Sequence, residues 1–286
     1  MRRGIPLLIA AAVALLVPSS EVSADQPKPS QERRLKILER EEPERLDPAF
    51  EMIMEKLDED LRYVISSPIR MTPKATAVTG LTVLGTLFLI NVDEKWAEEV
   101  VTSREGKSDR AYERLRVLGR NVPATTAGLY LLGYFLEDRS LKSRALEGFE
   151  AVAITALVTA GSGYLIGHKE PEDSTEAGEF EPLNKYHSMP DMSSSLVFSL
   201  AGVFAYERPW HQALLYYSIA AGTAVSRVYY EEAWPSDVFL GSVIGTAIGR
   251  TVASRARKGA REDVTVLPML EFNAKPVLGL RIEFRL

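Results

Sequence analysis

Six apolar stretches constrain the fold of this chain more than any other feature: Ala77 to Val92, Val122 to Leu136, Ala151 to Gly167, Ser194 to Tyr206, Gln212 to Val225 and Val238 to Gly249. Each is 12 to 17 residues long, rich in Ala, Gly, Ser and Thr, and free of proline beyond its first turn. Small side chains let helix backbones approach closely, so runs of this kind pack as helices. We expect an all-α bundle of six helices over residues 73–257. The stretch from Gly80 to Val92 is apolar nearly all round, as a lipid-facing or fully buried helix is and a surface helix is not. A membrane span needs about 17 to 25 residues, so embedding in lipid and a soluble bundle both fit segments this short.

The ends of the chain read differently. Met1-Arg2-Arg3, an apolar run from Ile5 to Val17 and the small-residue site Val22-Ser23-Ala24 form a secretory signal peptide over residues 1–24, with a mature start near Asp25. An uncleaved anchor is the alternative, and either way the chain is expected to be exported to the cell envelope, as a membrane-embedded or a periplasmic protein. Residues 25–72 form a charged, partly helical extension. Ile53, Met54, Leu57, Leu61 and Val64 recur there at helical spacing, the mark of a helix lying on a core. Thr72-Pro73 is a good helix start. In the tail, residues 258–286, two β-prone runs (Val264 to Phe272 and Val277 to Phe284) are joined by Asn273-Ala-Lys-Pro276 and read as a hairpin.

Charge and composition exclude several functions. A net charge of −5 and a pI near 5.5 offer no basic face for nucleic acid. Zero cysteines excludes disulfides and thiolate chemistry. The three histidines, His168, His187 and His211, show no metal-ligand spacing, so no metal and no cofactor is expected. Trp210-His211 reads as a packing or interfacial pair, and the acidic run Glu170 to Glu181 as a solvated loop.

Three short segments carry the chemistry. The third is Ser226-Arg227-Val-Tyr-Tyr-Glu-Glu-Ala233-Trp-Pro-Ser-Asp237. It resembles the third signature of the type 2 phosphatidic acid phosphatase family, Ser-Arg, five residues, His, three residues, Asp, with Ala233 at the histidine. The first signature, Lys, six residues, Arg-Pro, falls on Gly163 to Pro171: Gly163 replaces Lys, Glu170 replaces Arg, and Pro171 matches. The second, Pro-Ser-Gly-His, falls on Pro190-Asp191-Met192-Ser193, where only Pro190 matches. The resemblance covers about Pro73 to Arg257.

That resemblance implies a phosphate site in which Lys and two Arg hold phosphoryl oxygens, one His attacks phosphorus, Asp orients it and a second His protonates the leaving group. Here Pro171, Pro190, Ser226, Arg227 and Asp237 persist, while Gly163, Glu170, Asp191, Met192, Ser193 and Ala233 depart. Exchanging arginine for glutamate reverses an interaction worth about 4 kcal/mol at 4 Å and an effective dielectric of 20. The expectation is a non-catalytic relative of envelope lipid phosphatases with a degenerate phosphate site, in a structural, scaffolding or ligand-binding role. Its expected partner is a membrane lipid or an envelope protein, and its oligomeric state is not legible. The alternative is an active phosphatase on a lipid phosphate or isoprenoid pyrophosphate, with rearranged groups drawn from Arg227, Asp237, Ser193 and His187. His168 and Lys169, at a helix mouth, are expected to be solvated. Arg227 is expected to pair with Asp237, Glu170 or Asp191, a carboxylate standing where phosphate would.

Overall fold

The computed structural model describes residues 48–67, 71–102, 110–174, 176–259, 264–272 and 276–284. The expected signal peptide, residues 1–24, and residues 25–47 of the extension lie outside the described residues. The fold is all-α. Among the described residues there are nine helices: α1 Pro48–Ile65, α2 Pro73–Ile90, α3 Asp93–Thr102, α4 Arg110–Arg120, α5 Val122–Phe135, α6 Arg139–Ile166, α7 Met192–Ala205, α8 Trp210–Tyr229 and α9 Pro235–Gly259. A pair of antiparallel strands follows, β1 Val264–Phe272 and β2 Pro276–Phe284, with Val264 opposite Phe284 and Phe272 opposite Pro276.

Each of the six apolar stretches lies in one of these helices or overlaps it, and the count of six over residues 73–257 is corrected to eight among the described residues by α3 and α4. These two are short and charge-rich, so a search for apolar runs passes over them; α1 matches the amphipathic helix expected in the extension. Local chemistry sets several boundaries. Thr72 caps α2 by accepting the Ala75 N–H at 3.2 Å, with Pro73 in the first turn. Asp138 caps α6 through the Leu141 N–H, and Asp191 caps α7 through the Ser194 N–H at 2.7 Å. Gly167 ends α6 in the left-handed region at φ 66°, where a Cβ would overlap the Glu181 backbone.

The core sits between α7 and the helices around it. Val122, Val152, Leu196, Val197, Ala201 and Ala220 form one apolar cluster, and Ala151, Ile154, Val203, Phe204, Ile248 and Val252 form another. Leu57, Leu61 and Val64 of α1 pack on the second. Ion pairs add to that docking: Lys56 with Glu150 at 2.6 Å, and Arg255 with Glu59 at 2.9 Å and with Asp60.

Helices α7 and α9 meet closely enough for backbone to touch backbone. Gly241, Gly245 and Gly249 recur every fourth residue of α9 and face the backbone of Asp191, Ser195 and Ser199. A Cβ at Gly245 would overlap the Ser195 carbonyl oxygen. Gly245→Ala is therefore expected to lower stability by about 1–3 kcal/mol, read as a lower denaturation midpoint at unchanged helix content. A variant as stable as the parent would show that the helices part freely.

Among the described residues two helices, α2 and α6, are long and apolar enough to cross a membrane. On α2 the side chains of Val78, Leu81, Leu84 and Phe88 are all more than half exposed.

Candidate functional site

Three loops meet where α6 ends, α7 begins and α8 passes into α9. Backbone hydrogen bonds join them: Ser188 N–H to the His168 carbonyl at 3.1 Å, and Asp191 N–H to the Asp237 carbonyl at 3.0 Å. The Trp234 indole N–H adds a third tie, to the Lys169 carbonyl at 2.9 Å. The residues that the three sequence segments single out are thus neighbours in space.

Arg227 leaves the last turn of α8 and lies largely buried. Its Nε and Nη2 donate to Asp191 Oδ1 at 3.1 and 3.0 Å, and its Nη1 donates to Glu232 Oε2. The arginine-carboxylate pairing expected from sequence is present, with Asp191 as one partner. Two expected partners are corrected. Glu170 makes no direct pair with Arg227; burial raises its carboxyl, with the Arg227 charge acting against that. Asp237 is turned to another group, and Glu232 takes its place.

The geometry of Glu232 follows from how α8 ends. The Glu232 N–H bonds the Arg227 carbonyl at 2.9 Å and the Glu231 N–H bonds the Val228 carbonyl at 3.0 Å, the paired closure of a Schellman turn. Glu231 occupies the left-handed position at φ 58°, which usually belongs to glycine. The turn brings Glu232 back over Arg227. There it also meets two arginines of α4: Arg116, whose Nε donates to Oε1 at 2.6 Å, and Arg120 through Nη2. The Arg116 guanidinium in turn lies 4.4 Å from the centre of the Tyr230 ring.

Asp237 is fully buried in the first turn of α9. Its Oδ1 accepts from His168 Nδ1 at 2.6 Å, and its Oδ2 accepts from the Ser188 hydroxyl and from the Trp234 N–H at 3.3 Å. His168 is also fully buried, stacked on Phe180 at 4.5 Å, with Nε2 donating to the Ala177 carbonyl at 2.7 Å. This corrects the expectation that His168 is solvated: the left-handed turn at Gly167 carries the chain inward at that point. A carbonyl can only accept, so Nε2 carries a proton, and a second proton lies between Nδ1 and the Asp237 carboxyl, which burial itself pushes up. Burial works against a charge on the ring, but Asp237 and the Ala177 carbonyl outweigh it and hold His168 above its ordinary value.

Lys169 is not free in solvent either. Its ammonium pairs with Glu179 at 3.0 Å and Glu181 at 2.8 Å, which ties down the acidic loop. Next to this network Asp93, buried at the start of α3, accepts the Ser236 N–H at 2.8 Å. Burial raises its carboxyl to about 6, although that hydrogen bond pulls the other way.

The remaining signature positions carry little reactive chemistry. Ala233 is buried. Ser226 turns its hydroxyl back to the Thr223 carbonyl at 2.6 Å. A Cβ at Gly163 would come within 3.1 Å of both the Cβ and the carbonyl oxygen of His187, so a side chain at the place of the first-signature lysine would be crowded there. His187 is exposed and Ser193 is buried at the start of α7. Met189-Pro190 is a cis peptide. Arg116, Arg120, Ser188, Asp93 and Glu232 were not singled out from sequence. Only Glu232 carried a local signal, as the acidic residue beside Ala233.

Residues 145–259 match the family model described as PAP2 superfamily. Among solved structures, the crystal structure of Aquifex aeolicus LpxE is similar at 16% sequence identity and a TM-score of 0.46, over 57% of this chain and 95% of that one. No curated protein matches.

Proposed function

With residues 145–259 belonging to the PAP2 superfamily, we propose that this chain is a non-catalytic member that works in the cell envelope as a structural or ligand-binding protein. One observation carries the reading. Asp237, which in the family's arrangement orients a nucleophilic histidine, orients His168, a ring with no exposed edge and with both nitrogens committed. A nucleophile needs a free lone pair aimed at phosphorus, and His168 has none. With Ala233 beside it and Arg227 already neutralised by Asp191 and Glu232, the site lacks both an attacking group and an open anion clamp. The apolar, exposed face of α2 and the length of α6 favour placement at a membrane.

The test is phosphate release from a lipid phosphate and from an aryl phosphate, with wild type beside Arg227→Ala. The expected result is release at the rate of buffer alone for both. Turnover by wild type that disappears in Arg227→Ala overturns the non-catalytic reading.

A further inference from the structure

Three guanidinium groups converge on one carboxylate. Arg116 and Arg120, one turn apart on α4, reach Glu232 Oε1, and Arg227 reaches Oε2. Both oxygens of the carboxylate are therefore held by fixed forked donors, the arrangement by which proteins hold phosphate oxygens. Arg116 and Arg120 lie outside the matched residues 145–259. The Glu232 side chain is only 7% exposed, whereas that of Arg120 is 52% exposed, so the donors reach solvent while the carboxylate they hold does not.

The turn that delivers this carboxylate is itself unusual. Glu231 adopts the left-handed conformation that a residue with a Cβ rarely takes. Nothing in a helix terminus alone requires a glutamate at the next position. The product of that turn is a side-chain anion set among three cations beside Ala233.

We propose that Glu232 is a built-in anion that fills a seat made by Arg116, Arg120 and Arg227, and that the seat accepts a phosphate-sized oxyanion only when this carboxylate is removed. Asp191 holds the other side of Arg227, so with Glu232 gone three arginines face Asp191, Glu113, which pairs with Arg116 at 3.4 Å, and Glu170, which acts on Arg227 through its charge without a direct pair. The seat then regains the guanidinium donors that Glu232 occupied, is open to solvent at Arg120, and in Glu232→Ala is larger by the one methylene and the carboxylate that left. This deepens the non-catalytic reading and rests on it in one respect: in the wild-type chain the arginines serve a residue of the protein and not a substrate.

The test compares wild type, Glu232→Ala and Glu232→Gln for binding of inorganic phosphate by calorimetry and by phosphate-induced thermal stabilisation at constant ionic strength. Removing the carboxylate is expected to strengthen phosphate binding at least about tenfold over wild type. The gain is expected to disappear when Arg116→Ala and Arg120→Ala are added. Folded Glu232→Ala with wild-type affinity overturns the proposal, and so does a gain that survives loss of both α4 arginines. If the variants fold poorly, phosphate must restore their refolding yield where chloride at equal ionic strength does not; equal yields overturn it as well. Failure of the non-catalytic reading is distinguishable: turnover by wild type refutes that reading, while equal phosphate affinity in wild type and Glu232→Ala refutes the seat whatever the activity.

Discussion

Arg227→Ala is expected to destabilise the protein by about 3–5 kcal/mol, the cost of breaking a buried ion pair by removing one partner. Two carboxylates are left behind. Asp191 loses both donors to its Oδ1 and keeps only the Ser194 N–H on Oδ2, and Glu232 keeps Arg116 and Arg120. Asp191 is the more costly of the two, because its side chain is 3% exposed and no second cation reaches it. The comparison that isolates the charge is Arg227→Met combined with Asp191→Asn. Asparagine still caps α7, and the double change leaves no unpaired carboxylate at that position, so its loss is expected to be smaller than the sum of the single losses. Thermal midpoints of the four proteins measure this. Additive losses would mean that Arg227 contributes through packing and not through its pair with Asp191.

His168→Ala is the second large effect, again about 3–5 kcal/mol, since it leaves the fully buried Asp237 without its imidazole partner and the Ala177 carbonyl without its donor. The pH dependence separates the charge from the loss of volume. His168 is held above its ordinary value in the folded protein, so the folded state binds this proton more tightly than the unfolded chain does. Its contribution is complete below the unfolded value of about 6.5 and is lost as pH rises through the raised folded value. The stability advantage of wild type over His168→Gln, which keeps much of the volume without a titrating ring, is expected to shrink on raising the pH across that window. An advantage that stays constant from acid to alkaline pH would show that His168 is neutral and only fills space.

Much of the fold was legible because its determinants are local. Thr72-Pro73 starts a helix wherever it stands, and Asp191 caps one through its own third neighbour. The apolar runs, rich in Ala, Gly, Ser and Thr, read as closely packed helices. The helices missed as a class, α3 and α4, carry too few apolar residues to stand out, and they are held by what they touch. Of the candidate site, the convergence of three segments and the need of Arg227 for a carboxylate were both readable, because a buried guanidinium without a counter-charge is too costly to persist.

Which carboxylate it takes was not readable. Asp237, Glu170 and Asp191 were equal candidates by sequence, and the choice depended on directions set by two turns. The left-handed residue Glu231 swings Glu232 back over Arg227, and the left-handed Gly167 swings His168 inward to claim Asp237. Sequence alone thus determined the helix class, the caps, the three meeting loops and the absence of a histidine at position 233. Only the tertiary structure decided that Asp237 serves His168 and that Arg116 and Arg120 close over Glu232. Pairing of buried charges depends on distance and direction within a few ångströms, which spacing along the chain does not encode.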